Sequence, residues 1–259
     1  MPWRILLISD SRGGGLATEI RRNIDIDFIW EERVHKGATL DDILKKIERS
    51  QRKQRSTTWD IILVVAGICN LTKRVLIKKG TQYLEYKERK AEHTNQVIDQ
   101  LLDTNGDRIH ICTIPPADLG KYSSYRDDDP TLKQEQGNLI EDLEQINRHI
   151  ISRNILRDFA TVDLAKQTYS SSLKKQGSTK KRVSKFTGKG LRDGLHPDPE
   201  ARKAWATYMA KVIPKIATKI QEKLNQKTTA EETEDSDSES DREDNWDYKR
   251  SKKPRTTKD

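Results

Sequence analysis

Ile5-Leu6-Leu7-Ile8-Ser9-Asp10-Ser11 is a run of four large aliphatic residues that ends on serine, aspartate and serine. Successive side chains of a strand point to opposite faces, so this strand must be covered on both sides. Sheets buried on both faces are parallel sheets, and helices supply the covers. The polar end of the run then stands at the C-terminal end of a strand, where open parallel sheets place their ligands.

Outward from this run, Trp3–Ser9, Asp25–Glu31, Trp59–Ala66 and Arg108–Ile114 read as strands, with Phe159–Leu164 as a shorter fifth. Ile61-Ile62-Leu63-Val64-Val65 has the same continuously apolar character. Helical spacing fills the intervals at Leu16–Asn23, Leu40–Gln54, Tyr83–Thr104 and Leu132–Leu156. The second helix follows Thr39, a good N-cap, and carries Asp41 and Asp42 in its first turn. A last helix opens with Asp198 as N-cap and Pro199 at the first position. It is expected to end near Lys223, with Trp205, Tyr208, Met209, Val212 and Ile216 on one face. Strand alternating with helix predicts a flavodoxin-like, three-layer α/β/α sandwich over residues 1–225. Lys166–Arg192 is rich in Ser, Lys, Gly and Arg and reads as a long, mobile, basic loop.

Charge divides the chain. Glu231–Asp247 carries ten acids and one arginine, a net of −9, and Lys249–Asp259 a net of +5. With the whole chain at +8, residues 1–230 are left at +12. Residues 226–259 hold too little apolar surface to offset their ordering entropy and read as a disordered tail. In that tail Ser236, Ser238 and Ser240 each precede an acid by three residues, a pattern suited to an acidophilic kinase. The two cysteines, Cys69 and Cys112, sit at the ends of apolar runs. They read as thiols of a reducing compartment, not as a disulfide framework. No secretory signal pattern opens the chain, and no apolar run nears the ~20 residues of a membrane span. An intracellular protein is expected, cytoplasmic or nuclear, since Lys249-Arg250-Ser251-Lys252-Lys253-Pro254-Arg255 is similar to an import signal.

The segments after the first three strands should converge: Asp10-Ser11-Arg12-Gly13, Val34-His35-Lys36-Gly37 and Gly67-Ile68-Cys69-Asn70. Asp193-Gly194-Leu195-His196-Pro197 can reach the same edge from the far end of the chain. An aspartate three residues before a histidine can hold one ring nitrogen while the other faces a reactive group, here Ser11. Gly13-Gly14-Gly15 does not make a dinucleotide site, because the fingerprint needs a glycine or alanine where Thr18 stands. No His/Cys/Asp/Glu grouping has metal-ligand spacing. His35, alone beside the proposed site, reads as a packing or surface residue.

The strand-end Asp10-Ser11, Gly37 before the second helix, the turn at Gly67 and the late Asp193-Gly194-Leu195-His196-Pro197 together resemble the SGNH (GDSL-type) hydrolases, over roughly residues 3–215. The chain also resembles the SGNH-like domains carried by some invertebrate and viral mobile elements. The resemblance implies a serine esterase or deacetylase that acts on a small ester or acetylated substrate without metal or cofactor. Ser11 would be the nucleophile, His196 the base and Asp193 its orienting acid. The backbone N–H groups of Ser11 and Gly37 and an asparagine after the third strand would meet the oxyanion. Aligning Gly67 with the motif glycine puts Cys69 where that asparagine belongs and Asn70 one residue late; Ser9 replaces the usual glycine before Asp10. A thiol is a poor donor, so two alternatives stand beside the enzyme. One is an SGNH-like binding or scaffold module with weakened catalysis. The other is a basic nucleic-acid-associated protein. In either case the bases of residues 174–192 are available for an anionic substrate or nucleic acid.

Overall fold

The computed structural model describes residues 2–24, 27–53, 59–77, 82–123, 129–176 and 179–239. Its centre is a four-stranded parallel sheet. The strands are β1 (Trp3–Ser9), β2 (Phe28–Val34), β3 (Ile61–Val65) and a later strand, Ile109–Ile111, in the order second, first, third, last. Ile5, Leu6, Leu7 and Ile8 are all buried, as a doubly covered strand requires. Leu6, Ile8, Ile62 and Val64 pack against Leu40, Ile43 and Ile47 of helix α2 (Leu40–Lys53) and against two further helices on that face. Ile5, Leu7, Ile61 and Leu63 point to the opposite face and are equally buried. The architecture is the expected flavodoxin-like α/β/α sandwich.

Helix α1 (Leu16–Arg21) follows β1, and α3 (Ile68–Leu71) is a single turn after β3. The chain then departs from the sequence expectation. Residues 83–86 belong not to a helix but to β5 (Gln82–Tyr86), paired antiparallel with β4 (Thr72–Leu76). Tyr83, Leu84 and Tyr86 mimic helical spacing, but their aromatic character suits a strand. The helix α4 begins only at Ala91 and runs to Asn105, after Arg89 reverses the chain at φ 56°. Strand β6 is Ile109–Ile111, α5 is Leu119–Tyr122 and α6 is Pro130–Leu156.

Three further expectations need correction. Phe159–Leu164 is not a strand; one main-chain bond, from the Thr113 N–H to the Val162 carbonyl at 3.0 Å, and one from the Thr113 hydroxyl to Asp163 Oδ1 at 2.8 Å tie it to the segment after β6. The stretch read as a mobile loop, 166–192, contains an antiparallel hairpin of β7 (Tyr169–Gln176) and β8 (Thr179–Phe186). Main-chain pairing needs no apolar composition, and Tyr169 and Phe186 close the base of the ribbon with ring centroids 6.1 Å apart. The last helix, α7, is Pro199–Glu239 and passes the expected end near Lys223. Residues 240–259 lie outside the described residues, as does the basic run 249–255. The chain divides into two units, Met1–Lys219, which holds the sandwich, and Ile220–Asp259.

Strand register fixes where the site forms. Ser9 stands opposite Val34 on one side and Val65 on the other, so β1, β2 and β3 end level. The His35 N–H donates to the Ser9 carbonyl at 2.7 Å, and the Asp10 N–H to the Val65 carbonyl at 3.1 Å. Three loops therefore leave one edge side by side, at the point where strand order reverses.

Candidate active site

Asp10 turns the end of β1 into a 3-10 turn, Ser11–Gly13, by accepting the Arg12 N–H at 2.8 Å. The turn folds back so closely that a Cβ on Gly13 would stand 2.3 Å from the Cβ of Ser9. Only glycine fits there, because the Ser9 side chain fills the space beside it. The Ser9 hydroxyl is buried and has no hydrogen-bond partner among the described residues. Arg12 is buried beneath the turn; its guanidinium faces the Asp10 carboxylate at 3.4 Å and donates to the Pro115 carbonyl at 2.7 Å. This pair ties the turn to the segment after β6. Ser11, the first residue of the turn, keeps an N–H that no helical carbonyl can take.

His196 arrives from 185 residues away, with its Nε2 2.9 Å from the Ser11 Oγ. Its Nδ1 lies 2.7 Å from Asp193 Oδ2, while Asp193 Oδ1 accepts the N–H groups of His196 at 2.8 Å and Leu195 at 3.1 Å. This network assigns the tautomer: Nδ1–H donates to the carboxylate, and Nε2 accepts the serine proton. Burial pushes the Asp193 carboxyl up. The His196 and Leu195 N–H groups and the imidazole outweigh it and hold the carboxyl below its ordinary value. Asp193 therefore stays ionised against the ring.

The loop that carries this pair is braced from below. The Asp118 N–H donates to the Gly194 carbonyl at 2.6 Å, and the Lys121 Nζ donates to the Leu191 carbonyl. Gly194 has φ 81°, and a Cβ there would lie 2.4 Å from the Asp118 carbonyl oxygen and 2.7 Å from the Tyr122 nitrogen. The Arg192 N–H donates to the His196 carbonyl, and the Asp198 N–H to the Gly190 carbonyl, both at 2.8 Å. Sequence reasoning missed α5 and this role of Gly194. The signal was a glycine placed inside the aspartate–histidine spacing, where a histidine-bearing loop must approach another backbone.

The expected oxyanion donors fall out unequally. Gly37, at φ 74°, sits in the turn after β2 beside open space. Gly67, at φ 127°, has no room for a Cβ, which would meet Ile114 at 2.4 Å, and its turn leads directly into α3 and Cys69. Burial, with Asp10 adding to it, pushes the Cys69 thiol up to about 11, so it is neutral and weakly donating at pH 7. Asn70 does not compensate. Its Oδ1 accepts the Leu40 N–H at 2.8 Å and its Nδ2 donates to Asp41 at 3.2 Å. The amide satisfies an orphan N–H at the start of α2, because the one-residue shift turns it toward that helix. Both ends of the amide are thus engaged with the start of α2. Burial, Lys46 and Arg33 lower the His35 imidazole, and its N–H serves the sheet; it stays apart from the relay. Among the described residues, no group of His, Cys, Asp and Glu is arranged to hold a metal, and no helix is long and apolar enough to cross a membrane.

A serine, a histidine and an aspartate in hydrogen-bonded series at a parallel sheet edge define a serine-hydrolase arrangement. The family model of the GDSL-like lipase/acylhydrolases matches residues 9–209, and the chain belongs to that family, a class of esterase-type hydrolases. A lipase/acylhydrolase from Enterococcus faecalis is similar in structure at 15% identity and a TM-score of 0.56, covering 81% of this chain and 94% of its own. A member of the lipolytic G-D-S-L family from Veillonella parvula is similar at 12% identity and a TM-score of 0.52, covering 81% and 97%. No curated protein sequence matches the chain.

Proposed function

We propose that the protein hydrolyses a small carboxylic ester, or removes an acetyl group, through an acyl-enzyme on Ser11. The observation that carries this reading is the unbroken series from Ser11 Oγ through the His196 ring to Asp193, at 2.9 and 2.7 Å. Ser11 Oγ attacks the carbonyl carbon as its proton passes to His196 Nε2. Asp193 stabilises the imidazolium that forms. The tetrahedral oxyanion accepts from the Ser11 and Gly37 N–H groups. Its collapse breaks the bond to the leaving alcohol, which takes the proton from His196. Water then repeats the sequence on the acyl-enzyme and releases the acid and the free serine. No metal or cofactor enters these steps.

A fluorophosphonate probe and a short-chain nitrophenyl ester test the reading together. The wild type should be labelled and should turn over the ester. Ser11→Ala should lose labelling and fall by at least ~10³-fold in kcat. Equal labelling of both proteins would remove Ser11 from the mechanism.

One observation favours a second reading, a binding module in which catalysis has weakened: the neutral Cys69 thiol in the third donor position, with Asn70 committed to α2. A wild type that is neither labelled nor active would support it. The basic run 249–255 supports a nuclear or cytoplasmic location, which imaging of the tagged chain with and without that run would decide.

A further inference from the structure

We infer that Arg202 selects esters whose alcohol part carries an oxyanion, a carboxylate or a phosphate. The inference deepens the esterase reading and rests on it. Arg202 stands in the opening turn of α7, shortly after His196, and is half-buried. Its Nε is buried with no hydrogen-bond partner, and no carboxylate among the described residues pairs with its guanidinium. The acids nearby are engaged elsewhere. Glu32 accepts the Ala17 N–H at 3.2 Å, and Asp198 accepts the Ala201 N–H at 2.8 Å. Glu200, two positions earlier on the helix, cannot face Arg202; it lines a hollow with Lys203 and Thr207. A half-buried guanidinium without a counter-ion carries a desolvation cost that a bound anion offsets.

The guanidinium lies over the start of α1, where a Cβ on Gly15 would stand 3.6 Å from its Nη1. Gly15 ends the stretch that Ser11 begins. Four residues span at most ~14 Å when extended, and the 3-10 turn Ser11–Gly13 shortens that reach. Gly13, Gly14 and Gly15 place no side chain along it, and Ser11, Gly14 and Gly15 are all partly exposed. The triplet that makes no dinucleotide site thus leaves a strip of bare backbone between the nucleophile and Arg202. Chemistry sets which end of the substrate lies there. When the tetrahedral intermediate collapses, the bond from the acyl carbon to the leaving oxygen breaks. That oxygen keeps the electron pair and takes the proton from His196 Nε2. The alcohol therefore departs beside His196, the residue that leads into α7. An oxyanion on it can accept from Nε–H and Nη–H together, the paired donors with which a guanidinium holds carboxylate or phosphate.

The test measures kcat/KM of the full chain on phenyl acetate and on three charged esters. 4-Acetoxybenzoate and 4-acetoxyphenyl phosphate carry the anion on the alcohol; phenyl hydrogen succinate carries it on the acid. The wild type should prefer the alcohol-side anions, and the better of the two identifies the oxyanion. Arg202→Gln should lower the ratio of either to phenyl acetate by about 10-fold or more, the worth of charge-assisted hydrogen bonds. The intrinsic reactivity of each ester cancels in that comparison. Arg202→Lys should keep part of the ratio, because it retains the charge and loses the paired donors. The inference is overturned if Arg202→Gln keeps the wild-type ratios, if lysine behaves as glutamine does, or if the preference lies with the succinate. Should no ester turn over, the hydrolase reading fails and binding decides. By calorimetry, Ser11→Ala should then hold 4-acetoxybenzoate about 10-fold tighter than phenyl acetate, and adding Arg202→Gln should erase the difference. Equal binding of the two esters to Ser11→Ala would overturn the inference by itself.

Discussion

On the proposed function, catalytic power turns on Cys69. In the proposed mechanism Ser11, His196 and Asp193 would supply a nucleophile and a base with its partner, but the tetrahedral oxyanion needs donors aimed at it before it forms. Two backbone N–H groups stand at the sheet edge, and the third position holds a neutral thiol. Loss of one such donor typically costs on the order of 10²–10³ in kcat. Cys69→Asn is therefore expected to raise kcat on a short-chain ester by about that factor, with KM little changed. An unchanged kcat in steady-state assays would mean that the hole is complete without position 69. That Ser11, His196 and Asp193 could meet was legible from residue types, a spacing and a chain order. The fate of Asn70 was not. A side chain one residue out of register can turn toward either neighbour, and the unpaired Leu40 N–H decided which.

At the scale of elements, two local devices hold the site together, and each makes a prediction. Helix α2 is fixed by a reciprocal cap: the Thr39 Oγ1 accepts the Asp42 N–H at 3.3 Å, and Asp42 Oδ2 accepts the Thr39 N–H at 3.0 Å. The Thr39 N–H foremost, and the Thr39 hydroxyl at 2.9 Å, both donate to the Asp42 carboxylate and hold it below its ordinary value. A depressed carboxyl contributes stability that is present above its unfolded pKa and is lost as pH falls through the folded value. Asp42 is exposed and screened by solvent, so Asp42→Asn should lower stability by only about 0.5 kcal/mol at pH 7, and the difference should vanish below the folded pKa. Urea titrations of both proteins across that range measure it. The second device is the brace of α5 under the histidine loop. Gly194→Ala forces a Cβ against the Asp118 carbonyl at a φ of 81°. It should displace His196 and cut kcat by at least ~10²-fold, since misplacement by about 1 Å costs that much. A retained circular dichroism spectrum with wild-type kcat would show that the loop does not depend on this contact. The main parallel strands and the helix starts at Leu40 and Pro199 could be read from apolar runs and caps. The two hairpins could not: one hid in helix-like spacing, the other in a polar, basic segment whose pairing uses main-chain groups alone.

For the whole molecule, the sandwich needs the chain only as far as its buried residues extend. From Gln221 to Thr229 no side chain of α7 is buried. Truncation after Leu224 should change the unfolding free energy of the remaining chain by no more than the ~0.5 kcal/mol typical of surface changes, and should keep its serine-probe labelling. A large drop in Tm by calorimetry would place needed contacts beyond that point. The sequence by itself determined the sandwich, because doubly apolar runs alternating with amphipathic segments have few ways to bury both faces. It also determined the residue types of the relay. Tertiary structure decided the rest. The 2.9 Å meeting of Ser11 with His196 depends on β1 ending level with its neighbours and on α5 holding up the loop of Gly194. Distances of that kind follow from packing among residues remote in the chain, and local pattern carries no record of them.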